Sequence, residues 1–193
     1  MKLDIKPATP DVASHIASLI MEAMSTNCCQ NLAGPHHNLA DFHRLISRLV
    51  KMDDSQYSYK NTLVGMTSSG ILAGVVVAYD GADLKRLRKR FINEALVEFG
   101  IDYSGMDAET GEGEFYIDSL AVSSNFRGKK FATRLLLAAI ERAKELGHSK
   151  VGLLVDKGNP LAEKLYANLG FQYVNDTVWG GHAMKHLQLI IND

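Results

Sequence analysis

The chain has 193 residues, 46% hydrophobic and 22% charged, with a net charge of −1. This is the balance of a soluble globular protein long enough to bury a substantial core, and it gives no bulk attraction to nucleic acid or to a membrane surface. No apolar run nears the roughly 20 residues of a spanning helix, the opening MKLDIKPATP lacks an apolar signal core, and the two cysteines, Cys28 and Cys29, are adjacent. A cytoplasmic protein with free thiols and no disulfide framework is expected.

Leu3 and Ile5 alternate with polar neighbours, which predicts a short strand over 2–7. Pro10 opens a helix to about Met24, with Val12, Ile16, Leu19 and Ile20 on one face. From Ser25 to Asn38 the chain is polar, is broken by Gly34-Pro35, and reads as irregular. A second helix over roughly 39–52 carries the stripe Phe42, Leu45, Ile46 and Leu49. Residues 61–79 read as a hairpin about a Ser-Ser-Gly turn. Its second strand is apolar nearly throughout, as in a sheet covered on both faces. Across 82–100, Leu84, Leu87, Phe91, Ala95 and Phe99 recur at helical spacing, opposite Lys85, Arg86, Arg88, Lys89 and Arg90. That basic face reads as solvated beside Glu94 and Glu98, with nucleic acid as the weaker alternative. A mobile loop rich in Gly, Asp and Glu is expected over Tyr103–Gly113.

The strand 115–122 leads into a basic loop and a helix over 131–147, which buries Leu135, Leu136, Ala139, Ile140, Ala143 and Leu146 and ends at Gly147. A strand at 150–156, a helix at 160–169 and a strand pair at 171–177 and 182–191 complete the chain. No repeat, low-complexity segment or linker divides it. One domain over 1–193 is expected.

Several residues in this second half have chemical uses. Helix N-termini offer unpaired N–H groups and a positive dipole end, so the loop at 126–132 can hold phosphate oxygens. Within it Gly128 is free to take unusual dihedrals, and Arg127, Lys129 and Lys130 supply charge. An ordinary basic helix start looks the same. Neither Gly-x-Gly-x-x-Gly nor a Walker-type Gly-Lys-Ser/Thr is present. Asn159 precedes Pro160 as an N-cap, and Tyr166, seven residues on, shares its helix face. Asp118 is a carboxylate on an otherwise apolar strand, and Glu114 stands at its start. Period two places Asp118 on the face of Leu120 and Val122. A structural hydrogen bond accounts for either acid as well as a catalytic role does. His182 is a third candidate base. The remaining histidines have no ligand-like spacing, and no metal site is expected.

Taken in order, FYIDSLAV, SSNFRGKKFATRLL, KVGLLVD and GNPLAEKLYANLGF resemble the GNAT family of acetyl-CoA-dependent N-acetyltransferases. The family fingerprint, (Gln/Arg)-x-x-Gly-x-(Gly/Ala), is met at Arg127 and Ala132, while Lys130 stands at its central glycine. A lysine there keeps the charge match but strains the turn. The family's distal element, Asn-x-x-Ala-x-x-Leu-Tyr-x-x-Leu-Gly-Phe, is met at every fixed position from Asn159 to Phe171.

The resemblance implies an α/β GNAT-like fold: a mixed, twisted central sheet of six or seven strands with helices on both faces. It makes the helical segment at about 82–113 an insertion, which is expected to cover the acceptor side of the cleft. It implies acetyl-CoA (coenzyme A) as cofactor and donor. Leu120, Ala121 and Val122 would pair with the pantetheine amides, and Arg127, Gly128, Lys129, Lys130, Phe131 and Ala132 would hold the pyrophosphate. Asn159 would touch the cofactor arm, and Tyr166 would be the general acid to the thiolate. The acetyl group passes directly to an amine of a small-molecule or peptide acceptor, with Asp118 and Glu114 as candidate bases. Asp107, Glu109, Glu112 and Glu114 would favour a cationic acceptor if they line the cleft. The reading from another class is a GNAT-like acyl-CoA-binding module, a sensor or scaffold without turnover. No nucleic-acid or membrane partner is expected, and the chain is expected to be a monomer or homodimer.

Overall fold

Period-two and unbroken apolar runs become strands β1 (Leu3–Pro7), β2 (Thr62–Thr67), β3 (Leu72–Asp80), β4 (Phe115–Val122), β5 (Lys150–Asp156), β6 (Gln172–Trp179) and β7 (His182–Ile190). The computed structural model describes residues 3–191. The strands make one sheet in the order β1-β2-β3-β4-β5-β7-β6. Only β4 and β5 are parallel neighbours; all other pairs are antiparallel. The helices are α1 (Ala13–Met24), α2 (Thr26–Ala33), α3 (Leu39–Lys51), α4 (Leu84–Phe99), α5 (Phe131–Glu145) and α6 (Pro160–Asn168).

β3 is buried along its length apart from its two ends, because both faces of the sheet are covered. Val75 and Val77 pack with Ile16, Ile20, Phe42 and Leu45 of α1 and α3. Val76, on the opposite face, packs with Leu135, Leu136 and Ile140 of α5. Each such buried side chain contributes about 1.5–3 kcal/mol. The start of α3 is fixed by reciprocal bonds. Asn38 Oδ1 accepts from the Ala40 and Asp41 amides at 2.8 and 3.2 Å, and the Asn38 amide donates to Asp41 Oδ2 at 2.9 Å.

Three expectations about helices are corrected. The stretch after Ser25 is helical: the Ser25 Oγ caps α2 by accepting from the Cys28 amide, and Cys28, Cys29, Leu32 and Ala33 are buried. Arg88 is not on a solvated face but is buried. It lies four residues after Leu84 and three before Phe91, which puts it on the apolar stripe of α4. Leu146, beyond the end of α5, is exposed.

The element that shapes the site is β4. Val77 pairs with Ser119 but Ala78 pairs with Ile117, so Asp118 is an extra residue, a β-bulge. The bulge inverts the alternation. Asp118 bonds Tyr79 and Gln56 beside the α4-covered face, whereas Leu120 and Val122 pack toward α5. The period-two expectation that these three share a face is therefore wrong. A bulge also bends its strand. Pairing of β4 with β5 stops after Ile117–Leu153, although the strands run on to Val122 and Asp156.

Candidate active site

Where β4 and β5 part, a cavity of about 710 Å³ opens into the molecule. On one side its wall is Leu120, Ala121 and Val122. Their β3-facing edge is hydrogen-bonded, but no strand pairs with the edge that faces β5. Apart from the Val122 carbonyl, which accepts from Arg127, that edge offers backbone donors and acceptors to a ligand carrying amides.

One mouth of the cavity lies at the loop before α5. Lys130 is the N-cap residue in the left-handed conformation, φ 60° and ψ 22°, and α5 has no side-chain cap. The first N–H groups of the helix are thus left for an anion. Gly128 also has positive φ, 74°. Arg127 and Ala132 line the cavity. The exposed Arg127 guanidinium donates from Nε to the Val122 carbonyl at 3.2 Å and reaches Glu22 at 3.3 Å. Lys129 lies over the Phe126 ring, 5.1 Å from its centroid. The Phe131 ring is buried against Phe126, so only its backbone is open to a ligand at the loop. This donor set fits a pyrophosphate.

The opposite wall comes from α6. Asn159 Oδ1 accepts from the Ala162 amide at 3.1 Å, so it caps the helix, and it also borders the cavity with Tyr166. Tyr166 packs edge-on to Phe171. Burial pushes its phenol up to about 12. No group accepts a hydrogen bond from it among the described residues, which leaves an available, firmly protonated donor.

The two candidate bases are separated. Asp118 lines the main cavity and accepts from Tyr79 Oη at 2.9 Å, Gln56 Nε2 at 3.2 Å and Ser119 Oγ at 2.9 Å. Burial raises its pKa against these bonds. Glu114 does not reach that cavity. It borders a second one of about 280 Å³ and accepts from Gln188 at 2.7 Å and Thr110 at 2.6 Å, with His186 Nε2 at 2.9 Å. Burial pushes Glu114 up, but its three bonds outweigh it and hold the carboxyl below the ordinary range. His182 lines the main cavity, 3.7 Å from Asp156.

Of the acids expected at the cleft, Glu109 lines the main cavity, and sequence reasoning missed Cys28, Tyr57, Tyr116 and Trp179, which line it too. These four come from separate segments, and only the lone tryptophan was a local signal. Burial raises the Cys28 thiol and holds the Tyr57 and Tyr116 phenols well above their ordinary value. Among the described residues, no group of three His, Cys, Asp or Glu side chains is placed to hold a metal ion. No helix among them is long and apolar enough to cross a membrane.

A sheet parted beside a helix start without a side-chain cap is the feature that defines this site. The sequence model of the Acetyltransferase (GNAT) family matches residues 57–171, more than half of the chain. The chain belongs to the GNAT acetyltransferase family. A crystal structure of an acetyltransferase is similar over 98% of this chain and 100% of its own, with 28% identity and a TM-score of 0.81. An N-acetyltransferase from Staphylococcus aureus Mu50 is similar over 96% and 100%, with 24% identity and a TM-score of 0.78. The NatC complex bound to Gag peptide and CoA shares the fold at 17% identity, with a TM-score of 0.60 over 100% of both chains. No curated protein matches the sequence. Family membership supports an acyl-transfer function.

Proposed function

We propose that this chain transfers an acetyl group from acetyl-CoA directly to the amine of a small-molecule or peptide acceptor. One observation carries the reading: β4 and β5 separate after Ile117–Leu153 into a cavity that reaches both Tyr166 and Asp118. Acetyl-CoA, when bound, supplies a thioester carbonyl open to attack by nitrogen. The free edge of Leu120–Val122 would hold the pantetheine amides. The uncapped first turn of α5, with Arg127, Lys129 and Lys130, would hold the pyrophosphate. Asp118 accepts the proton released by the acceptor nitrogen, and its raised pKa makes it a better base than an ordinary carboxylate. Tyr166 gives a proton to the departing sulfur. A nitrogen–carbon bond forms, the carbon–sulfur bond breaks, and water restores the phenol.

The test is to incubate the purified protein with acetyl-CoA and a panel of polyamines, aminoglycosides, amino acids and peptides. Thiol release should accompany the mass gain of one acetyl group on an amine of at least one class. Tight CoA binding with no release across the panel would leave a binding module without turnover.

A further inference from the structure

Two residues of the main cavity's wall, Glu109 and Trp179, belong to a clamp to which the transfer chemistry assigns no part. Glu109, between α4 and β4, forms an ion pair with Arg88 of α4, the two side chains being 3% and 6% exposed. Arg88 Nη1 also donates to the Asp107 carbonyl at 2.7 Å. From the other side Trp179 Nε1 donates to Glu109 Oε2 at 3.1 Å. Trp179 ends β6, and Gly180 and Gly181 follow with φ of 58° and 81°. Two successive positive φ angles make a tight two-residue hairpin, which holds the indole in place. A buried pair of this kind is costly to separate, because either charge left alone is desolvated without a partner. The clamp is a fixed wall, unlike a surface ion pair that water competes for.

Glu109 borders both the main cavity and the smaller one next to Glu114, so it stands at the partition between them. We infer that the Arg88–Glu109–Trp179 clamp is the distal wall of the acceptor site and restricts the acceptor to compact primary amines. This rests on the amine-transfer reading above and narrows it. An extended peptide advances about 3.3 Å per residue. Beyond its reacting nitrogen it would run through the ground that Glu109 and Trp179 hold. A compact amine ends at the wall, between Tyr57 and Tyr116 and against the Trp179 indole, all of which line the cavity.

Trp179 is the only tryptophan in the chain, so its fluorescence reports acceptor binding whether or not turnover follows. The wild-type protein saturated with CoA is titrated with a series of primary alkylamines and with short peptides bearing a free α-amine. Thiol release from acetyl-CoA is measured on the same series. Compact amines should shift the fluorescence and exceed the peptides in kcat/KM by about tenfold or more. Trp179→Ala should narrow that ratio about tenfold by improving the peptides. Trp179→Phe keeps an aromatic ring but loses the indole N–H, its bond to Glu109 and part of the ring area, and should narrow it about threefold; it serves if the alanine variant does not fold. Peptides turned over as well as compact amines by the wild type would overturn the wall and leave the transfer reading standing. Variants that depress both classes equally would do the same. Fluorescence that discriminates compact amines without thiol release would keep the wall and sink the transfer reading. No response in either measurement would sink both.

Discussion

Tyr166 carries a phenol held protonated by burial, at about 12, with no acceptor among the described residues to compete for its proton. A group in that state contributes to the transition state, when the sulfur acquires charge, and little to ground-state affinity. Tyr166→Phe should lower kcat about 10- to 1000-fold and change acetyl-CoA affinity less than about threefold. An unchanged kcat, with chemistry shown to be rate-limiting, would reduce Tyr166 to a packing partner of Phe171. Lys130 is the other residue whose backbone tells a story. It takes φ 60° where the family fingerprint has glycine, and that conformation costs a side-chain-bearing residue roughly 1 kcal/mol. Lys130→Gly should raise Tm by about 2–4 °C, less whatever the freer unfolded chain takes back. CoA affinity should stay within about tenfold, since the helix-start amides remain. A lower Tm together with lost CoA binding would make the lysine a principal phosphate ligand.

At the scale of elements, β4 does two jobs on either side of its bulge. Beyond Asp118 it frees an edge for a ligand; before Asp118 it is tied down through Glu114. That carboxylate, 4% exposed, joins Thr110 of the preceding loop to His186 and Gln188 of β7. Its pKa lies below the ordinary 4.5 in the folded state. The sign follows: the network's stabilisation is complete above about pH 4.5 and is lost as pH falls through the lowered folded value. Glu114→Gln should cost about 1–3 kcal/mol at neutral pH and flatten the acid limb of a Tm-against-pH curve. An unaltered acid limb in the mutant would show that other carboxylates set it.

For the molecule as a whole, the cavity exists because one sheet supports α1–α4 on one face and α5 on the other, so a ligand entering it touches both halves. A ligand that binds only the folded form stabilises it by mass action. CoA at about 100 times its Kd should add about 2.7 kcal/mol and raise Tm by about 5–10 °C. Arg127→Glu should weaken CoA by more than about tenfold, about 1.4 kcal/mol, and the Tm rise should shrink accordingly. The same rise in both proteins would remove Arg127 from the pyrophosphate site.

Local signals settled much of this protein in advance. The bounds of β4 and β5, the helix start at Lys130, the Asn159 cap and the placing of Tyr166 on its helix all depend on spacing and capping within a dozen residues. The sequence-based reading failed where a neighbour in space overruled the local pattern. Period two ran straight through Asp118, because nothing within β4 announces that β3 pairs around it. α2 read as loop because its residues are polar, yet Cys28, Cys29, Leu32 and Ala33 find a core made by other helices. Arg88 read as solvated by its charge, until Glu109 supplied a buried partner from another segment. The chain alone determined its family, the bounds of the loop before α5 and the placing of Tyr166 on its helix. The distal wall needed Arg88, Glu109 and Trp179 brought together from 91 positions of sequence, 88 to 179, and only tertiary packing does that, because a buried charge is tolerated where its partner is already in place.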